Sequence, residues 1–110
     1  MAKLWSNGSL RFRLNSQGAR ELDIRLTGAV CDGATAHVRV EVDGEVLHDG
    51  QLPPTRFVRD GVFHGYLLLR RAFVDGTHSL AVTMSQDLTT PACGRNLVVE
   101  RLLFQPDISR

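Results

Sequence analysis

Strict alternation of apolar and polar residues is the feature that most limits what this chain can fold into. Leu10, Phe12 and Leu14 are separated by Arg11 and Arg13, and Leu22, Ile24 and Leu26 by Asp23 and Arg25. Ala36, Val38, Val40 and Val42 alternate with His37, Arg39 and Glu41, and Leu80, Val82 and Met84 with Ala81, Thr83 and Ser85. Neighbouring side chains on a strand leave opposite faces, so each run turns one face to a core and the other to water. A helix needs apolar positions three and four apart, and these segments do not supply them.

Turn chemistry falls between the runs. Asp-Gly occurs five times, at Asp32-Gly33, Asp43-Gly44, Asp49-Gly50, Asp60-Gly61 and Asp75-Gly76. Both residue types tolerate the positive φ of a tight hairpin. The clearest case is Val42-Asp43-Gly44-Glu45, which turns a strand over 35–42 into one over 45–48. Pro53-Pro54 ends the next strand, since proline has no N–H to give a ladder. Further strands are expected over 63–69 and 95–104. In the last, Leu97 and Val99 share one parity and Leu102 and Phe104 the other. One extra residue near Glu100-Arg101, a β-bulge, brings all four to the core. No helix, repeat or low-complexity segment is visible.

About seven or eight short strands at this spacing predict an all-β fold, a single-domain antiparallel β-sandwich of jelly-roll type. The expected domain covers residues 9–105, with an N-terminal tail over 1–8 and a C-terminal tail over 106–110. A length of 110 residues suits one domain. Thirteen basic and twelve acidic residues leave a net charge of +1. Interspersed as they are, they offer no field for a nucleic-acid backbone or an anionic membrane. No run reaches the ~18 apolar residues of a membrane span, and Met1-Ala2-Lys3-Leu4-Trp5 lacks the apolar core of a signal peptide. No nucleic-acid or membrane partner is expected.

In an antiparallel sandwich the loops gather at two ends. Loops 28–34 and 85–94 carry the two cysteines, Cys31 and Cys93. If both loops share an end, a Cys31–Cys93 disulfide ties them; the alternative is two unpaired thiols in a reducing compartment. The segment 85–96 is rich in oxygen donors, and calcium takes ~6–8 oxygens. Asp87 is its one carboxylate, Asp32 can join from the neighbouring loop, and Glu100 lies further along a strand. Taken alone this is a weak metal site, and a solvated loop explains the composition better.

None of His37, His48, His64 and His78 has the i, i+2 or i, i+4 partner of a zinc pair. There is no Gly-x-Ser-x-Gly elbow and no phosphate loop. Asp23, Glu41 and Glu45 fall on solvent faces or turns and do not form an acid/base pair. The chain is therefore not expected to be an enzyme. Seven aromatics are present. Trp5 falls in the expected tail and the phenylalanines in the core, which leaves no stacking platform for a sugar ring.

Three segments between Glu21 and Phe104 carry a family resemblance. They are Glu21-Leu22-Asp23-Ile24-Arg25-Leu26-Thr27-Gly28, then Ala36 to the Val42-Asp43-Gly44 turn, then Gly76-Thr77-His78 through Gln86-Asp87 to Gly94-Arg95-Asn96-Leu97. Together they resemble the calcium-dependent xylan-binding modules, carbohydrate-binding module families 36 and 60 and their relatives. The resemblance implies a jelly-roll sandwich whose loop before the arginine-asparagine-leucine strand holds calcium, with the ion touching sugar hydroxyls. It implies metal-site roles for Asp87, Gln86, Asp32 and Asn96, and glycan contacts from Asp87, Asn96, Arg95, Thr89 and Thr90. Two departures stand out. The family's asparagine-aspartate pair is Gln86-Asp87, and the aspartate before arginine-asparagine-leucine is Gly94, which removes a carboxylate.

The function expected from this resemblance is a non-catalytic module that binds xylan or a related β-glycan. It would carry calcium as its cofactor, act extracellularly or in the periplasm, and belong to a larger host enzyme. The alternative is an accessory or protein-interaction sandwich whose metal and sugar site has degenerated.

Overall fold

A computed structural model describes residues 2–59 and 62–105. Among these described residues there are nine strands: β1 (Ala2–Leu4), β2 (Gly8–Ser16), β3 (Arg20–Ala29), β4 (His37–Val42), β5 (Glu45–Gln51), β6 (Pro54–Arg59), β7 (Val62–Phe73), β8 (Gly76–Ser85) and β9 (Leu97–Phe104). They form a five-stranded sheet in the order β1-β9-β3-β7-β6 and a four-stranded sheet in the order β2-β8-β4-β5. All pairings are antiparallel, and the two sheets make the expected β-sandwich.

The alternating residues meet between the sheets. Leu22, Ile24 and Leu26 of β3, Val38, Val40 and Val42 of β4, and Leu80, Val82 and Met84 of β8 are all buried. Leu97 and Val99 join them, with Leu10, Phe12, Leu14, Leu102 and Phe104 packed against the cluster. The bulge in β9 forms as expected. Arg101 pairs with Arg25 and Val99 with Leu26, so Glu100 is the extra residue that resets the parity.

Several boundaries differ from the sequence reading. Residues 1–8, expected as a tail, include strand β1, which pairs with β9 from Ala2 opposite Val99 to Leu4 opposite Leu97. Gly8 already opens β2. Pro54 does not merely end a strand: it begins β6 at the edge of the sheet, where a missing N–H costs no ladder bond. The last strand starts at Leu97 instead of residue 95, and β7 runs on to Phe73. Asp43 and Gly44 both have positive φ, 50° and 83°, making the two-residue hairpin turn expected there. Asp32 and Gly33, at 56° and 78°, make a second such turn. Asp49-Gly50 lies inside β5 and makes no turn; pairing with β4 overrides the dipeptide's preference. Asp60-Gly61 and the expected tail 106–110 lie outside the described residues.

At one end of the sandwich, the Asp43 turn is bound to His78. His78 Nδ1 is 2.6 Å from Asp43 Oδ2 and Nε2 is 2.8 Å from the Val74 carbonyl. Both partners are acceptors, so the geometry calls for a doubly protonated ring. The hydrogen bond to Asp43, then that to Val74, raises the His78 pKa above its ordinary 6.5, and the same bond holds Asp43 below its ordinary 3.8. The stabilisation from His78 is complete below pH 6.5 and is lost as pH rises through the raised folded value. The part from Asp43 is complete above pH 3.8 and is lost as pH falls through the depressed folded value. Thermal melts across pH are expected to fall off on the alkaline side in the wild type, and His78→Gln is expected to flatten that limb. An unchanged alkaline slope in the variant would show that the pair does not contribute.

Candidate functional site

The strand registers place residues 5–7, 30–36, 52–53 and 86–96 at the opposite end from the Asp43 turn. A glycine pair prepares this end. Gly28 and Gly65 face each other across β3 and β7, and Leu52 packs over both. A Cβ at Gly65 would lie 2.7 Å from Thr35 Cγ2 and 2.8 Å from Leu52 Cβ. Thr35 Oγ1 accepts a hydrogen bond from the Leu52 N–H at 2.9 Å, locking the β5–β6 connection beneath the loops.

The two long loops are joined three ways. A disulfide links Cys31 to Cys93 across 62 residues, with Cα atoms 5.5 Å apart. Arg95 reaches from the second loop into the first, its Nε donating to the carbonyls of Cys31 (3.2 Å) and Ala34 (3.1 Å). Its Nη1 donates to the Gln86 carbonyl at 3.0 Å. Asn96 Oδ1 accepts from the Ala29 N–H at 2.8 Å. A fourth tie brings in the N-terminal turn, where the Asp87 N–H donates to Asn7 Oδ1 at 2.9 Å.

Within the second loop the backbone folds on itself. The Thr90 N–H donates to the Cys93 carbonyl at 2.7 Å, and Thr90 Oγ1 accepts from the N–H groups of Ala92 (3.2 Å) and Cys93 (3.1 Å). Gln86 takes a positive φ of 56°, which turns the chain out of β8 and aims its carbonyl at Arg95. Thr90, Arg95 and Asn96, expected to face a ligand, are thus hydrogen-bonded inside the loop pair. Thr89 and Gln86 are exposed, as is Asp32 at the tip of its own turn. Asp87 differs from the rest, because its Oδ1 is buried with no hydrogen-bond partner. A buried acceptor left open costs roughly 1–3 kcal/mol, so a ligand donor or a cation that reached it would recover that energy.

Calcium asks more of the site than this. Among the described residues no three His, Cys, Asp or Glu side chains gather as a metal cluster. The carbonyls of Cys31, Ala34 and Gln86 already accept from the Arg95 cation. Asp87 supplies one open carboxylate oxygen, and calcium needs ~6–8 oxygens. These residues fit the ion only where water and a bound ligand complete its shell.

Beside the loops, on the outer face of the five-stranded sheet, lies a groove of about 330 Å³. Val98, Ala29 and His64 line it together with Lys3, and Ala92, Cys93, Gly94 and Asn96 border it. Trp5 stands at the groove, 67% exposed, with Lys3 Nζ 5.8 Å from its ring centroid. This groove is invisible in the sequence, because Trp5 reads as tail unless β1 is seen to pair with β9. Not every phenylalanine is core either: Phe63 is 59% exposed, since it lies near the end of β7 beyond the body of the sandwich.

Among the solved structures that align with this architecture is one carbohydrate-binding module. It is the native structure of a family 35 carbohydrate binding module from Clostridium thermocellum. The chain shares that fold. The alignment covers 84% of this chain and 70% of the module, with a TM-score of 0.51 and 13% identity. No protein-family profile and no curated protein sequence matches the chain. No helix among the described residues is long and apolar enough to cross a membrane.

Proposed function

We propose that this chain is a non-catalytic carbohydrate-binding module, taking xylan or a related β-glycan at the loop end of the sandwich. The observation that carries this is the pair of loops at that end. They are locked rigid by a disulfide and Arg95, yet they leave one buried carboxylate oxygen of Asp87, just below the loop surface, without a hydrogen-bond partner. Binding sites of this kind set a few polar groups on a stiff frame, which lowers the ordering cost of binding. Asp87 accepts from sugar hydroxyls, and Thr89 and Gln86 are placed to add contacts from the rim. Calcium belongs to the proposal as a ligand-completed ion on Asp87, with Asp32 and Gln86 as further oxygen donors, the Asn96 Oδ1 being held by the Ala29 N–H; when bound, it would supply direct coordination of sugar hydroxyls. A disulfide fits the oxidising compartments in which secreted modules work.

Titration calorimetry against a panel of β-glycan oligosaccharides tests this. Xylohexaose is expected to bind in the micromolar to millimolar range, and Asp87→Ala to weaken it at least tenfold, the equivalent of about 1.4 kcal/mol. Chelator is expected to reproduce that loss. Binding that survives chelator but not Asp87→Ala removes calcium and leaves the carboxylate as a direct acceptor. No binding to any glycan of the panel overturns the proposal.

A second reading has one observation in its favour. Leu68 and Leu103 are exposed on the outer face of the five-stranded sheet, and on a sandwich with no sugar site they would suit a protein partner. A stable dimer in solution with no glycan affinity is the result that would favour it.

A further inference from the structure

We infer that the groove beneath Trp5, on the outer face of the five-stranded sheet, is a second contact surface for the glycan, where one pyranose ring stacks on the indole. This rests on the carbohydrate-binding reading and extends it to residues outside the two cysteine loops. Trp5 is the chain's only tryptophan. It is held at the surface, 67% exposed, where the hydrophobic effect alone would bury it. Its position is set on both sides. Lys3, two residues before it, is in register with Val98 on β9, and Asn7, two residues after it, accepts from the Asp87 N–H at 2.9 Å. The indole therefore belongs to the ordered loop end and is not a free tail.

The groove's chemistry matches a sugar better than a peptide or a lipid. Its floor of Ala29 and Val98 is apolar, while Lys3, His64 and Asn96 bring polar groups to its sides. A pyranose has the same division, with C–H bonds on its faces and hydroxyls around its edge. Lys3 is the charged side chain of the groove, and an ammonium offers only donors. Such a groove suits a ligand rich in oxygen acceptors and gives a cationic peptide nothing to pair with. A volume of about 330 Å³ is near the lower end of small-molecule sites, room for a ring or two and not for a folded partner. Because Cys93, Gly94 and Asn96 border the groove and also belong to the loop pair, one oligosaccharide can run from Asp87 onto Trp5.

With one tryptophan, the test reads the site directly. Adding xylohexaose, and in parallel the other oligosaccharides of the panel, is expected to shift Trp5 emission to the blue and to protect it from acrylamide quenching. Trp5→Ala is expected to bind roughly tenfold more weakly by calorimetry, with Trp5→Phe in between. Since the ring is exposed, thermal melts of both variants are expected to match the wild type. Calorimetric binding with unmoved Trp5 emission, and wild-type affinity in Trp5→Ala, overturns the groove and leaves the Asp87 site standing. Absence of all glycan binding in the wild type overturns both.

Discussion

Replacing both cysteines, as Cys31→Ala with Cys93→Ala, is expected to lower the thermal midpoint by on the order of 20 °C. The bridge spans 62 residues of chain. In the chain-entropy treatment, closing a loop of that length in the unfolded state is worth about 4 kcal/mol. For a domain near this size each kcal/mol moves the midpoint by roughly 4–8 °C. Few other single features reach that value in a small sandwich, whose total stability is about 5–15 kcal/mol. The loss is expected to fall on the loop end first, because Cys31 is buried there and its own backbone carries the Asp32-Gly33 turn. Differential scanning calorimetry with and without reductant is the measurement, and reduced wild type is expected to follow the double variant. A midpoint within about 3 °C of the oxidised wild type in both would show that the bridge is not what holds the loops.

Arg95→Ala is expected to cost roughly 2–3 kcal/mol and to weaken glycan binding as well. The guanidinium is the hub of the loop pair, with three carbonyls on it, two from one loop and one from the other. A hydrogen bond from a charged donor is worth about 1.5–3 kcal/mol, and removing the donor leaves its acceptors to partial rehydration, so the three do not simply add. Arg95→Lys keeps the charge but replaces a planar fork with a single ammonium that cannot span both loops, and is expected to restore less than half of the loss. Denaturant melts give the stability change, and hydrogen exchange is expected to speed up at the amides of Cys31 and Thr90, which close the two loop turns. Because Arg95 and the disulfide hold the same two loops, their effects are expected to couple by more than 0.5 kcal/mol in a double-mutant cycle. Strict additivity, or full rescue by lysine, would leave Arg95 as an ordinary surface charge.

The candidate site was legible only in part. Cys31, Asp87 and Cys93 could be assigned to two loops, but that these loops share an end is seen only in the fold. Arg95, Asn96 and Thr90 read equally well as ligand contacts, and the structure puts all three to work on the loops' own backbone. Loop carbonyls and amides near a protein surface need partners, and short-range sequence does not say which side chain will supply them. The open oxygen of Asp87 has the same origin. Whether an acceptor is satisfied depends on neighbours distant in the chain, here Asn7, eighty residues away, which takes the Asp87 N–H.

By itself the sequence determined the strands with strong alternation, the Asp43-Gly44 hairpin and the β9 bulge, because period and parity are local properties of the chain. It could not reveal β1 or β6, which are a three-residue segment and a proline-led one. Such strands exist only because β9 and β7 offer them an open edge. Trp5 follows the same rule. Its residue type was visible from the start, but only the pairing of Ala2–Leu4 with β9 and the tie from Asn7 to Asp87 carry it to the groove. Tertiary structure decided where the indole stands, since its position is set by contacts with residues more than eighty positions further along the chain.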